Sequence, residues 1–430
     1  MTSLFTRGRV RRLAGFASAQ VGVQALGFAS GIVLVRHMDT AQYGYYTLAI
    51  TMVGVASVLT ELGIATGVLA LGGRLAGEAR ALAALVGDAH RLHRWLAGAA
   101  LCLVLPAFAA LLLHQHAGPL QTVLLAAIGG ASALLTVRTA IALSVARLAG
   151  HLVLQQRVDL ALNALRLVVL LLVAQVALDA TVASLVNLGM AAGAYLAWRR
   201  YLARELGVLP PLPGAQRRAL RDVVLRQAPN SLYFVLSSQL TVWLVGMFGT
   251  ADRVADVGAL GRLGVAFAVV ASVMGAVIQP YFARHHEPAE LESGFVALNA
   301  FFAAVLALLG AAATFHPAPI LWILGPHYAG LQAELVWMVL ATGLSAWAGA
   351  LYTIGCGRGW VLPGLLGIGG GLAATVLGLR LFDVATVAGN YKLATLTAGV
   401  ALAVNFGYLA RCLARHRSEP LPALGQVSGP

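Results

Sequence analysis

Long apolar runs separated by short polar segments make up most of the chain, and this pattern predicts membrane-spanning α-helices. The runs are rich in Leu, Ala, Val and Gly and do not alternate between polar and apolar residues. A transmembrane β-strand alternates over about 10 residues, whereas a spanning helix needs about 20 apolar residues. The pattern therefore favours an all-α polytopic membrane protein.

Twelve runs have the length of a membrane span. They are predicted at about 13–35, 44–71, 95–113, 121–148, 156–178, 180–198, 229–249, 257–282, 294–315, 331–355, 360–382 and 384–410. The stretch 74–94 instead mixes charged residues with leucines at helical spacing. Such spacing predicts an amphipathic helix at the cytoplasmic interface.

An arginine-rich polar segment between the sixth and seventh runs divides the chain, and its centre, 209–214, contains three prolines and a glycine. The predicted domains are an N-terminal six-helix bundle at 1–202, a cytoplasmic linker at 203–228, and a C-terminal six-helix bundle with a short basic cytoplasmic tail at 229–430. Because six is an even number, both halves enter the membrane from the same side. Any repeat is then related by a pseudo-two-fold axis along the membrane normal.

Composition and charge agree with this class. Of the 430 residues, 60% are hydrophobic and 10% charged, and the mean hydropathy is +0.83. The net charge of +13 does not form a basic face, so no nucleic-acid partner is expected. Most of the basic residues fall between spans on one side, which places both termini in the cytoplasm of a cell (inner) membrane protein surrounded by membrane lipids.

Several enzymatic chemistries lack the residues that they need. The single lysine, Lys392, follows Tyr391, so no Gly-Lys-Ser/Thr phosphate loop exists and ATP-driven pumping is excluded. Paired histidines and three scattered cysteines do not gather the ligands of a metal site. We therefore expect a protein that is not an enzyme and that has no cofactor or metal.

Ionisable residues inside the predicted spans are the unusual feature. A central arginine costs about 3 kcal/mol on insertion scales, so several together indicate a wet or paired interior. Asp159, Asn163 and Arg166 have i, i+4, i+7 spacing and share one helical face. Polar residues in the first and seventh spans extend the pattern and predict a water-filled cavity. In the alternative interpretation, Asp159 and Arg166 only pair with each other inside the bundle.

Short motifs give a family resemblance. Leu34-Val35-Arg36, Tyr43-Gly44-Tyr45-Tyr46 and Glu61-Leu62-Gly63 before Gly72-Gly73-Arg74 resemble the opening of Wzx-type oligosaccharide flippases. These belong to the polysaccharide-transporter branch of the multidrug/oligosaccharidyl-lipid/polysaccharide exporter superfamily. The second half is similar at Pro229, Val257-Gly258, Arg262-Leu263, Pro280 and 324–328, and the resemblance covers about 13–350. Glu61 stands where the family more often has Asp.

The resemblance implies two bundles in a V about a central cavity, which move a polyprenyl-diphosphate-linked oligosaccharide from the inner to the outer leaflet. Its partners would be that lipid-linked oligosaccharide and other polysaccharide assembly proteins. Arginines exceed nearby acids, which favours an anionic cargo. The predicted cargo-binding residues are Arg138, Arg166, Arg262, Asn163, Gln20, Gln24 and Asn230, and the predicted ion-coupling residues are Glu61 and Asp159.

Two other functions remain open at this stage. A cation-coupled multidrug exporter of the same superfamily would need acidic residues in its cavity, and the first span has none. A membrane glycan ligase or polymerase would need acidic or histidine residues on a sizeable loop, and the longest external connection, 316–330, offers only two histidines. An assay for glycosidic bond formation separates this enzyme from a transporter.

Overall fold

A computed structural model describes residues 7–75, 78–206, 216–265, 267, 282, 287–358, 360 and 362–418, with side chains except those of 7–17 and a few single positions, Asn230 among them. Helices account for nearly all of these residues. In lipid a helix satisfies its backbone hydrogen bonds internally, which explains why long apolar runs adopt this conformation. The chain divides into two compact units, Met1–Arg262 and Leu263–Pro430.

The first unit is built around one central helix. Its elements are α1 (Arg7–His37), α2 (Thr40–Glu61), α3 (Ile64–Gly72), α4 (Ala79–His114), α5 (Pro119–Leu148), α6 (Leu152–Val173), α7 (Ala180–Leu206), α8 (Arg217–Phe248) and α9 (Ala251–Leu263), whose last residue already belongs to the second unit. Helix α2 packs against α4, α5, α7 and α8, and α6 packs against α1 and α7. Side chains of α2 can therefore meet groups from several helices.

The second unit contains α10 (Pro288–Phe315), α11 (Pro317–Leu324), α12 (Gln332–Gly357), α13 (Gly364–Leu381) and α14 (Val387–Ser418). Helix α12 packs against α10 and α14, and α13 packs against α14. Their core is aromatic and aliphatic, with Phe295, Phe302, Leu351 and Leu409 buried together. The short α11 occupies the predicted external loop at 316–330.

Ten of the described helices are long and apolar enough to cross a membrane. The predicted fifth span corresponds to α6, which is not one of these ten helices. Its 22 residues include three charged ones, Arg157, Asp159 and Arg166. The predicted eighth span, 257–282, lies largely outside the described residues. Large apolar side chains remain exposed on the helices, for example Leu365 at 87%, which suits contact with lipid chains.

The predicted second span is two helices rather than one. Leu62 ends α2 in the left-handed region at φ 41°, and Gly63 precedes α3 with φ 88°. A Cβ at Gly63 would lie 2.7 Å from the Cγ of Gln227 in α8, so the break fits only glycine at this position.

Two further boundaries differ from the sequence predictions. The stretch 74–94 does not form a separate interfacial helix, because α4 continues from Ala79 through the predicted third span to His114. Helix α8 begins at Arg217, so part of the predicted linker is helical and Pro229 lies inside the helix. A proline inside a spanning helix is tolerated where neighbouring helices compensate the missing hydrogen bond.

Candidate functional site

Two tyrosines on α2 form the centre of the site. Tyr43 and Tyr46 are one turn apart, so both point to one face of the helix. Both side chains are fully buried, and their ring centroids are 6.1 Å apart at an interplanar angle of 34°. A buried phenol needs a hydrogen-bond partner, and here each phenol has an arginine partner.

Two of the three predicted cargo arginines converge on these phenols. Arg166 of α6 donates from Nη2 to the Tyr46 hydroxyl oxygen at 3.2 Å. Arg262 of α9 donates from Nε to the Tyr43 hydroxyl oxygen at 3.2 Å and also interacts electrostatically with Tyr46. Both arginine side chains are half-buried. The fold therefore places two guanidinium groups side by side against α2.

Close helix approach brings Arg262 to this position. A Cβ at Gly31 of α1 would lie 2.8 Å from the Cδ of Arg262, so the arginine stem lies directly on the glycine backbone. The backbone of Ala251, at the start of α9, contacts Gly44 of α2 so closely that no side chain fits between them. Small residues at such crossings are how membrane helices approach each other.

Helix α7 contributes a third donor. Asn187 donates from Nδ2 to the Tyr46 hydroxyl oxygen at 2.9 Å. This oxygen thus accepts from both Asn187 and Arg166, which uses its two lone pairs. In the sequence, Tyr43 and Tyr46 stand out only as part of a motif, and Asn187 does not stand out at all. The i, i+3 spacing of two phenols in an apolar span was the available signal.

No carboxylate neutralises the two arginines within the part of the chain that the structure describes. Two ion pairs in that part, Arg221 with Asp222 at 3.8 Å and Arg417 with Glu292 at 3.7 Å, involve other residues and are exposed. Asp159 and Arg166 form no ion pair, and the Asp159 carboxylate interacts instead with Gln155 and Arg147. Two guanidinium groups bonded to phenol hydroxyls in an apolar protein form an arrangement whose chemistry suits an anion.

Most of Arg166 and Arg262 stays available for such a ligand. A guanidinium has five N–H donors, more than the phenol contacts of either arginine use. The Nε of Arg166 is buried with no partner among the described residues. A buried donor without an acceptor is costly, so an incoming anion would relieve this cost.

Two further predicted cargo residues, Arg138 and Asn163, contact groups other than the two tyrosines. Arg138 of α5 interacts electrostatically with His90 and His93 of α4. Asn163 donates to the Asp159 carbonyl oxygen of its own helix at 2.8 Å. Gln20 and Gln24 are half-buried on α1, and the side chain of Asn230 lies outside the described residues.

Glu61 has a structural contact at the helix break. Its Oε1 accepts a hydrogen bond from the Ala65 backbone N–H at 3.1 Å, in the first turn of α3. An acidic group is favoured at a helix N-terminus, where N–H groups have no intrahelical partner. In the described ranges, no three His, Cys, Asp or Glu side chains are placed to hold a metal ion.

Comparisons with known proteins connect this architecture to one group of transporters. No protein-family model matches the chain, and no curated protein matches it. Solved structures do match in fold. The inward-facing conformation of a multidrug resistance MATE family transporter of the MOP superfamily is 15% identical, with a TM-score of 0.69 over 94% of this chain and 99% of the other.

Two further structures are similar over nearly the whole chain. The lipid II flippase MurJ in its inward closed conformation is 11% identical, with a TM-score of 0.73 over 92% of this chain and 87% of the other. A MOP superfamily transporter from Pyrococcus furiosus Vc1 is 16% identical, with a TM-score of 0.61 over 95% and 96%. The prediction of an all-α polytopic fold is confirmed: the chain is a multi-pass membrane protein with the fold of MOP superfamily transporters.

Proposed function

We propose that this protein is a secondary transporter that flips a polyprenyl-diphosphate-linked oligosaccharide from the inner to the outer leaflet by alternating access. The observation that carries the proposal is the pair Arg166 and Arg262, bonded to the hydroxyls of Tyr46 and Tyr43 and to no described carboxylate. A cationic pair held by neutral groups keeps its attraction for an anionic cargo.

The expected strength of the arginine–phosphate attraction favours a phosphate ligand. Opposite charges 4 Å apart attract by about 4 kcal/mol at an effective dielectric near 20. Guanidinium groups also form bidentate hydrogen bonds with phosphate oxygens. Each arginine inside a span costs about 3 kcal/mol to insert, so an anionic ligand offsets a cost that the empty site retains.

The fold supports the lipid part of the cargo. One of the solved structures with this fold is named as a lipid II flippase, so the fold is compatible with moving a lipid-linked molecule. The proposal includes the predicted two-bundle organisation, cytoplasmic termini in a cell membrane, and contact with polysaccharide assembly proteins. Glu61 and Asp159 are the proposed sites for a coupling proton or cation.

The proposal is tested by replacing each arginine of the pair with glutamine. Proteoliposomes would carry a labelled polyprenyl-diphosphate oligosaccharide, and a membrane-impermeant hydrolase added outside would measure its arrival. Loss of one charge-assisted contact should lower transport about 10- to 100-fold, while protein abundance stays unchanged because removing a charge eases insertion. Lysine should restore only part of the activity, since it lacks the bidentate fork.

Arg221→Gln is the matched control, because Arg221 is exposed and its ion-pair partner among the described residues is Asp222. It should transport like the original protein. Full transport by both Arg166→Gln and Arg262→Gln would contradict the proposal. Extrusion of a cationic dye without transport of the diphosphate would instead indicate the multidrug exporter, and formation of a glycosidic bond would indicate the ligase.

A further inference from the structure

The Tyr46 hydroxyl lies where the two arginines come together. It accepts hydrogen bonds from Arg166 at 3.2 Å and from Asn187 at 2.9 Å, and it interacts electrostatically with Arg262. Three donor side chains, one each from α6, α7 and α9, thus interact with the hydroxyl oxygen of one fully buried tyrosine on α2. A single buried tyrosine hydroxyl does not need three donor side chains to satisfy its hydrogen bonding.

Two neighbouring guanidinium groups repel each other, and the repulsion is strong where water is scarce. A hydrogen-bond acceptor between the two guanidinium groups offsets part of that repulsion. Tyr43 contributes by accepting from Arg262, and the two phenols are fixed to each other by their i, i+3 spacing on α2. Asn187 occupies the second lone pair of Tyr46 and fixes the hydroxyl position.

We propose that Tyr46, positioned by Asn187, holds Arg166 and Arg262 as a two-point receptor that selects a lipid diphosphate over a lipid monophosphate. This inference rests on the proposed function. A diphosphate presents two adjacent anionic groups, one for each guanidinium. A monophosphate engages one arginine fully and gains little from the other. Tyr46 is thus a positioning residue, whereas the arginines contact the ligand.

The experiment measures binding of two probes that differ only in their headgroup, a polyprenyl diphosphate and a polyprenyl monophosphate of equal chain length. The full-length protein in lipid nanodiscs should prefer the diphosphate. In Tyr46→Phe the arginines move apart, so the affinity for the diphosphate should fall about tenfold while the affinity for the monophosphate changes less than about twofold. Asn187→Leu, which leaves both arginine–phenol bonds in place, should lower the preference by about two- to threefold.

Tyr45→Phe is the matched control. Tyr45 is adjacent and 8% exposed, but its hydroxyl donates to the Gln115 backbone carbonyl oxygen instead of accepting from an arginine. It should keep the original preference. An unchanged preference in Tyr46→Phe, or an equal loss of both probes, would overturn the inference. Were Arg166→Gln and Arg262→Gln also to bind the diphosphate normally, the proposed function itself would fail; if only they lose binding, the function stands without this role for Tyr46.

Discussion

Gly63 is the residue on which the break between α2 and α3 depends. Its φ of 88° lies in the left-handed region, and Gln227 leaves no room for a Cβ. Leu62, the preceding residue, also has a positive φ, 41°, which is uncommon for a leucine. The surrounding packing against α8 therefore imposes this conformation on the chain.

Replacing Gly63 with alanine should destabilise the protein by about 2 kcal/mol, because alanine is strained in the left-handed region and its methyl group would contact Gln227. Thermal unfolding in detergent measures the change. Gly98→Ala is the control, since Gly98 lies in α4 with open space around its Cα. There the substitution should stabilise the helix by about 0.5–1 kcal/mol. Equal melting temperatures for both variants would contradict the strain argument.

Residue patterns predicted part of the site and not its centre. An arginine in an apolar span stands out because its insertion into the membrane costs free energy, so Arg166 and Arg262 could be selected from the sequence. Tyr46 and Asn187 could not, because tyrosine and asparagine are common at helix interfaces and their partners are distant in sequence. Which donors meet at one oxygen depends on how side chains of α6, α7 and α9 reach α2 in the folded protein.

At the scale of helices, Gln115 connects the end of α4 to the end of α8. Its side-chain Nε2 donates to the Gly246 and Gly249 carbonyl oxygens at 2.6 and 3.0 Å, and its backbone carbonyl oxygen accepts from the Tyr45 hydroxyl of α2. The side chain is 6% exposed, so water does not replace these bonds easily. This one glutamine therefore connects the end of α4 to the end of α8 and to the early part of α2.

Gln115→Ala should loosen the end of α8. Loss of two buried hydrogen bonds, each worth about 1 kcal/mol, should raise the exposure of the adjacent α9 start about tenfold or more. A cysteine at Ala251, which is 9% exposed, would report this as faster reaction with a thiol reagent in a variant without the native cysteines. The control is Gln121→Ala, whose Nε2 bonds Gln42 and not α8. Equal labelling rates in Gln115→Ala and Gln121→Ala would contradict the inference that Gln115 holds the end of α8 in place.

Helix ends were the least predictable elements. The apolar pattern placed the centres of the spans, since hydropathy reports burial in lipid. It did not show that α4 runs without interruption from the charged stretch 79–94 to His114, because a straight helix and a bent pair present the same periodicity. The Leu62–Gly63 break was equally hidden, since glycine is frequent inside spanning helices.

At the scale of the whole molecule, the distribution of arginines predicts cytoplasmic termini and a cytoplasmic linker. Gly118 and Ala219 are exposed, and a Cβ at Gly118 meets nothing within 4 Å. In intact cells, an impermeant thiol reagent should modify a cysteine at Gly118 and not one at Ala219. Permeabilised cells are the control, in which both should react. Modification of the Ala219 position from outside would contradict the predicted orientation.

The phenol partners of Arg166 and Arg262 also have an electrical consequence. Guanidinium groups keep their protons, so the empty site would present positive charge, whereas a bound diphosphate would cancel it. Moving one elementary charge through 100 mV changes the free energy by about 2.3 kcal/mol. In the proposed transport cycle, an inside-negative voltage would therefore pull the unloaded site back toward the cytoplasm and leave the loaded site nearly unaffected, so the voltage would add an outward drive to any coupling through Glu61 or Asp159.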